Sequence, residues 1–226
     1  MNAMKFKPAG IMFDMDGLLL DTERLCMECF VDTQKAFGLL TDKSVFLQCV
    51  GLRGEESSHV IRNYLPARIE PKAFSDVWGA RITERMELSV PRKHGAKRLL
   101  LAIRANGLAT GVVTSTKTES ARNLLQKSGL LDLIEVVIGG DQVSEGKPDP
   151  EGYLALAKGL GVKASDCLAF EDSDAGAMAA IAAGATTIVI PDLIAPSEQV
   201  KAKVALIAPD LLTAACTLGL IQDTSL

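Results

Sequence analysis

AGIMFDMDGLLLDTE, residues 9–23, carries an unbroken apolar run into Asp14, places Asp16 one residue further on, and then turns at Gly17. A short run without polar alternation is what a strand buried on both faces of a parallel sheet requires. The same pattern recurs along the chain. Residues 109–113 (ATGVV) run into Thr114-Ser115-Thr116, and Ile134 to Ile138 runs into Gly139-Gly140-Asp141. Cys167 to Phe170 runs into Glu171-Asp172-Ser173-Asp174, and Thr186 to Ile190 ends at Pro191-Asp192. Helix-period segments lie between these runs at 95–105, 119–127, 151–158 and 175–183. Alternating strand and helix predicts an α/β fold, a Rossmann-like parallel sheet whose right-handed crossovers bring the carboxyl ends of the strands to one edge. Open α/β sheets bind ligands at that edge, so the polar strand ends become the candidate site.

The composition agrees. Of 226 residues, 48% are hydrophobic and only 4% aromatic, which suits helices laid on a parallel sheet. The interval 23–91 differs, having no strand-like run but helix-like segments at 24–37, 55–64 and 71–86, broken by Gly51, Gly54 and Pro66. The expected organisation is therefore a catalytic core of residues 1–22 and 92–226 with an inserted helical cap at 23–91. Entering after the first strand and returning before the second, this cap is expected to lie over the strand ends and to move as a lid. Residues 205–226 are expected to complete the core with a strand and a helix.

Formal charge is −4 without a basic block, which argues against a nucleic-acid partner. No run approaches the roughly 20 apolar residues that cross a bilayer. Cys26, Cys29, Cys49, Cys167 and Cys216 are scattered and odd in number, and with no secretory leader in view the expected compartment is a reducing cytoplasm. The Cys26/Cys29 pair has no second pair or neighbouring histidine to complete a metal site, so these read as helix cysteines.

Asp14 and Asp16 just past a strand end can both reach into the edge crevice, where like charges repel. A hard divalent cation such as Mg2+ relieves that repulsion, and Glu171-Asp172 supplies a second acidic wall. A phosphate substrate gives the remaining groups a task. Asp14 attacks phosphorus, Asp16 protonates the leaving alcohol and later activates water, and Thr114 and Lys147 hold the phosphoryl oxygens. Taken singly each piece has a plainer reading: an acid in a solvated turn, Thr114 to Thr116 as a helix cap, Lys147 as a surface lysine, Glu171-Asp172-Ser173 as another cap. Their joint occurrence in order at the ends of one sheet favours chemistry.

These residues resemble the haloacid dehalogenase superfamily, in the branch of β-phosphoglucomutase and small sugar-phosphate phosphatases. DMDGLLLDTE at 14–23, VVTST at 112–116, GKPDP at 146–150 and EDSDAG at 171–176 match its four motifs in order, over nearly the whole chain. The resemblance implies Asp14 as nucleophile, Asp16 as general acid/base, and Gly17, Thr114, Ser115 and Lys147 around the phosphate. It implies Mg2+ held by the Asp14 carboxylate, the Asp16 carbonyl and Asp172, supported by Glu171. The superfamily's dehalogenases lack an acid at the position of Asp16, so phosphate chemistry is favoured. Mutases of this branch carry a histidine where Cys26 stands, and no clear cap lysine is found; Lys35, Lys43 and Lys72 also match no Schiff-base context. Lys93-His94-Gly95 stands where relatives often have Pro-Gly. In the cap, Arg53 falls in the substrate-specificity loop and can meet a phosphate, carboxylate or hydroxyl. His59 and His94 form no cluster.

The expectation is a Mg2+-dependent phosphomonoesterase for a small phosphorylated metabolite such as a sugar phosphate or nucleoside monophosphate, acting as a monomer with a dimer left open. The alternatives are a phosphomutase and a receiver-like regulatory module. The glycine-rich stretch 140–148 fails as a P-loop because its spacing is one residue too long and Pro148 replaces the hydroxyl residue.

Overall fold

The computed structural model describes residues 7–50 and 54–221. In chain order the elements are β1 (Gly10–Phe13), α1 (Thr22–Ala36), α2 (Lys43–Leu47), α3 (Gly54–Tyr64), α4 (Pro71–Leu88) and α5 (Ala96–Ala105). There follow β2 (Ala109–Val113), α6 (Thr118–Lys127), β3 (Val136–Ile138), α7 (Glu151–Gly159), β4 (Cys167–Glu171) and α8 (Asp174–Ala182). The chain ends in β5 (Thr186–Val189), α9 (Glu198–Lys201), β6 (Leu206–Ile207) and α10 (Leu211–Thr217). It is an α/β protein with a Rossmann-like sheet.

Among the described residues six strands form one parallel sheet, in the order β3-β2-β1-β4-β5-β6. Strand order reverses between β1 and β4, and there the flanking connections run to opposite sides and leave a crevice at the carboxyl edge. Register fixes what lies at its mouth. Phe13 pairs with Val112 on one side and Phe170 on the other, so Asp14 and Glu171 follow at one level. The Asp14 amide donates to the Phe170 carbonyl at 3.0 Å, and the Phe13 and Phe170 rings stack with centroids 5.1 Å apart.

Central β1 and β4 are buried on both faces, which is why their sequences show no alternation. Helix α5 buries Ala96, Leu99, Leu100 and Ile103, one stripe of a 3.6-residue period. Helix α7 turns Tyr153, Leu156 and Ala157 into a core cluster with Met12, Val113 and Ala169. Helix α8 buries only small residues (Gly176, Ala177, Ala179, Ala180), which lets its backbone run close to the sheet.

The chain divides into two compact units, Met1–Leu20 with Arg92–Leu226, and Asp21–Pro91. The second unit is all helical and organised on Phe30, whose ring lies 5.2–6.4 Å from those of Phe46, Tyr64, Phe74 and Trp78. Its buried Gln34 donates to the Tyr64 hydroxyl and the Asp42 carbonyl and accepts from the Asp42 amide. The two joints are knit side by side: Leu20 and Arg92 form an antiparallel bridge, and the Lys93 amide donates to the Leu19 carbonyl at 3.0 Å.

Departures from the sequence reading are local. Helix α2, capped by the Asp42 side chain on the Ser44 amide, is too short to display a period. Strand β3 begins at Val136 because the 3-10 turn Leu131–Leu133 claims the approach to Ile134.

Candidate active site

Four of the expected core residues sit where a β-strand stops. Asp14 follows β1, Thr114 follows β2, Glu171 ends β4, and Asp172 leads into α8. Lys147 comes from the segment between β3 and α7, where its peptide bond to Pro148 is cis. The Lys147 ammonium donates to Asp14 Oδ1 and, at 2.6 Å, to Glu171 Oε1. One oxygen from each of Asp14, Glu171 and Asp172 falls within 4.8 Å of the others.

Glu171 is wholly buried and held on both oxygens. Oε1 accepts from Lys147 and from the Tyr153 hydroxyl at 2.5 Å, while Oε2 accepts from the Asp172 amide at 3.3 Å and the Ser173 hydroxyl at 3.5 Å. Two glycines make room for these acids. A Cβ at Gly176 would stand 2.1 Å from the Glu171 carboxylate. A Cβ at Gly17, whose φ of +80° is already left-handed, would stand 2.2 Å from Asp172 Oδ2.

Asp16 faces another way. Its Oδ2 accepts from the Thr114 hydroxyl at 3.1 Å and the Thr116 hydroxyl at 2.9 Å, and the Thr116 amide in turn donates to Thr114 Oγ. One oxygen of the carboxylate is thus oriented by two hydroxyls. Thr114, expected to hold phosphate, is nearly buried and directs its proton at Asp16. Ser115 is exposed beside it, and the Gly17 amide donates to the Leu20 carbonyl at 2.9 Å. Arg53 lies outside the described residues. His59 lies on α3, its Nε2 2.9 Å from the side-chain Nδ2 of Asn63.

Burial pushes the Asp14 carboxyl well above its usual value; Lys147 pulls it back, while Glu171 and Asp16 push it further up. For Lys147, burial acts to lower the pKa, but the Asp14 and Glu171 carboxylates outweigh it and keep the ammonium protonated above its ordinary range. Burial, followed by the negative charge of Glu171 and Asp14, raises the Tyr153 phenol well above its usual value, so it stays a donor.

Three carboxylates lie together and two of them, Asp14 and Glu171, share one lysine, so the cluster carries more negative than positive charge. A hard cation taking oxygen ligands suits this donor set, and the glycine at position 17 leaves Asp172 Oδ2 uncovered by any Cβ. The residues therefore fit Mg2+. Thr116 and Tyr153 were not singled out from the sequence as working residues. Thr116 was visible as the third residue of the polar strand end, and Tyr153 as a hydroxyl on the apolar face of α7.

The model for haloacid dehalogenase-like hydrolases matches residues 11–190. The validoxylamine A 7'-phosphate phosphatase of Streptomyces hygroscopicus subsp. limoneus is 33% identical over 181 residues, covering 76% of this chain and 81% of that protein. The phosphorylated carbohydrates phosphatase of Thermotoga maritima is 28% identical over 175 residues, covering 77% and 81%. Among solved structures, a haloacid dehalogenase-family hydrolase from Deinococcus radiodurans with bound phosphate and sodium is 26% identical with a TM-score of 0.78, over 95% of this chain and 97% of that one. With a family model spanning the strand ends from β1 to β5 and relatives that are phosphatases, this chain belongs to the haloacid dehalogenase-like hydrolases and is one of their phosphoric monoester hydrolases.

Proposed function

We propose that the protein is a Mg2+-dependent phosphatase that hydrolyses the monoester of a small phosphorylated metabolite, a sugar phosphate or nucleoside monophosphate, through an aspartyl-phosphate on Asp14. The observation that carries this is Lys147 joined to both Asp14 and Glu171 at the crevice between β1 and β4. Relatives that act on phosphorylated carbohydrates, and a related hydrolase with phosphate bound, support the substrate class. The protein is proposed to work in the cytoplasm as a monomer.

A carboxylate oxygen of Asp14 forms the new bond to phosphorus while the ester P–O bond breaks. The departing alkoxide takes the proton of Asp16, whose Oδ2 is anchored by Thr114 and Thr116 so that Oδ1 is presented. Asp16, now ionised, accepts a proton from water, and that oxygen attacks phosphorus, frees inorganic phosphate and restores Asp14. Lys147 turns from the carboxylates to the phosphoryl oxygens, so its charge follows the reacting centre. Asp14, Asp172, the Asp16 carbonyl and, directly or through water, Glu171 would hold Mg2+, which when bound neutralises the charge of carboxylate and phosphate.

The test is phosphate release from a panel of sugar phosphates, nucleotides and phosphorylated acids, with Mg2+, with EDTA, and with Asp14→Asn. Release is expected to need both metal and Asp14. Full activity of Asp14→Asn would remove the proposed nucleophile, and interconversion of sugar phosphates with little net release would make the protein a mutase.

A further inference from the structure

Tyr153 heads the fully buried side chains by size, and its ring fills the apolar cluster under the sheet with Leu156 and Ala157. Phenylalanine would fill that space as well, so packing leaves the hydroxyl unexplained. The hydroxyl reaches out of the core to Glu171 Oε1 at 2.5 Å, the same atom that accepts from Lys147 at 2.6 Å. The Lys147 ammonium also lies 5.6 Å from the centroid of the Tyr153 ring. One side chain thus contacts both members of the pair, the carboxylate through its proton and the ammonium through its π face.

Resting on the phosphatase reading, we propose that Tyr153 is a positioning residue that holds Glu171 in one orientation while Lys147 exchanges its partners. In the reaction Lys147 must give part of its hydrogen bonding to phosphate. Glu171, with no exposed surface, would then lose a donor at Oε1 and turn to recover one. The Tyr153 proton stays on Oε1 throughout. The carboxylate plane is therefore kept, and with it the placement of Glu171 relative to Asp14 and Asp172, the group that fits the cation.

The test compares Tyr153→Phe, which keeps the ring, with Leu156→Ala, which damages the same helix without touching the site. Mg2+ binding is measured by calorimetry in the absence of substrate, and kcat and KM are measured at saturating Mg2+, well below both melting temperatures. Tyr153→Phe is expected to weaken Mg2+ binding by about 10-fold and to lower kcat by a comparable factor. Its substrate KM is expected to stay within about twofold of wild type, because the hydroxyl does not touch substrate. Leu156→Ala should lower the Tm and leave Mg2+ affinity and kcat unchanged. Wild-type Mg2+ binding and kcat in Tyr153→Phe, or an equal loss in Leu156→Ala, overturns the inference alone. A wild-type protein silent in both assays overturns the phosphatase reading and the inference with it.

Discussion

Gly176 shows how much of the site depends on atoms that are not there. In an ordinary helix, exchanging glycine for alanine stabilises by roughly 0.5–1 kcal/mol. Here the added Cβ would stand 2.1 Å from a carboxylate locked by four donors, so the neighbour cannot give way cheaply. The sign should reverse. Gly176→Ala is expected to destabilise by about 1–3 kcal/mol, as overpacking does. It should also cut Mg2+ affinity, both effects read by thermal melting with and without the metal. A melting temperature above wild type would show that Glu171 moves aside freely. None of this constraint shows in the string EDSDAG, where glycine reads as a helix-former's lapse. Residue types at strand ends could be read from order alone, whereas which oxygen meets which donor depends on how far each strand runs. Asp16 illustrates this: its place after the strand suggests a working acid, and only the structure shows its Oδ2 accepting from the hydroxyls of Thr114 and Thr116.

Among the strands, the two that the sequence displays without polar alternation at the centre of the sheet are buried at every residue. β1 and β4 are buried throughout and read as apolar runs, while β6, two residues long and partly exposed, carries little signal. Helix α2 has five residues, and its Asp42 cap was the only local mark of it. Helix α10 offers a test at this scale. Its N-cap, Asp210, accepts from the Thr213 amide at 2.8 Å and the Thr213 hydroxyl at 2.9 Å, and the amide bond leads in holding its pKa below the ordinary 3.8. A depressed carboxylate stabilises the fold above its unfolded pKa and loses that contribution as pH falls through the folded value. Asp210→Ala should therefore cost about 1 kcal/mol at neutral pH. The gap to wild type should close as denaturation curves are taken below pH 3.8. A gap that widens on acidification would refute the capping role.

For the whole molecule, the proposed cation at the strand ends would tie the ends of β1 and β4 together, and anything that binds the native state alone raises its stability. At a Mg2+ concentration one hundred times its dissociation constant the gain is about 2.7 kcal/mol. For a chain of this size that corresponds to a Tm rise on the order of 5–10 °C. The rise should vanish in Asp172→Ala, measured by scanning calorimetry with Mg2+ against EDTA. An unchanged rise in that variant would place the cation elsewhere. Among the described residues no helix is long and apolar enough to cross a membrane. The bridge between Leu20 and Arg92 has a different kind of consequence. A segment that leaves and re-enters through neighbouring backbones imposes almost no loop-closure demand on the sheet that hosts it. Such a junction behaves like a socket: the sheet and its acids can stay the same while one helical segment is exchanged for another of different length, so lineages can vary what they recognise without reopening the question of how the chain folds.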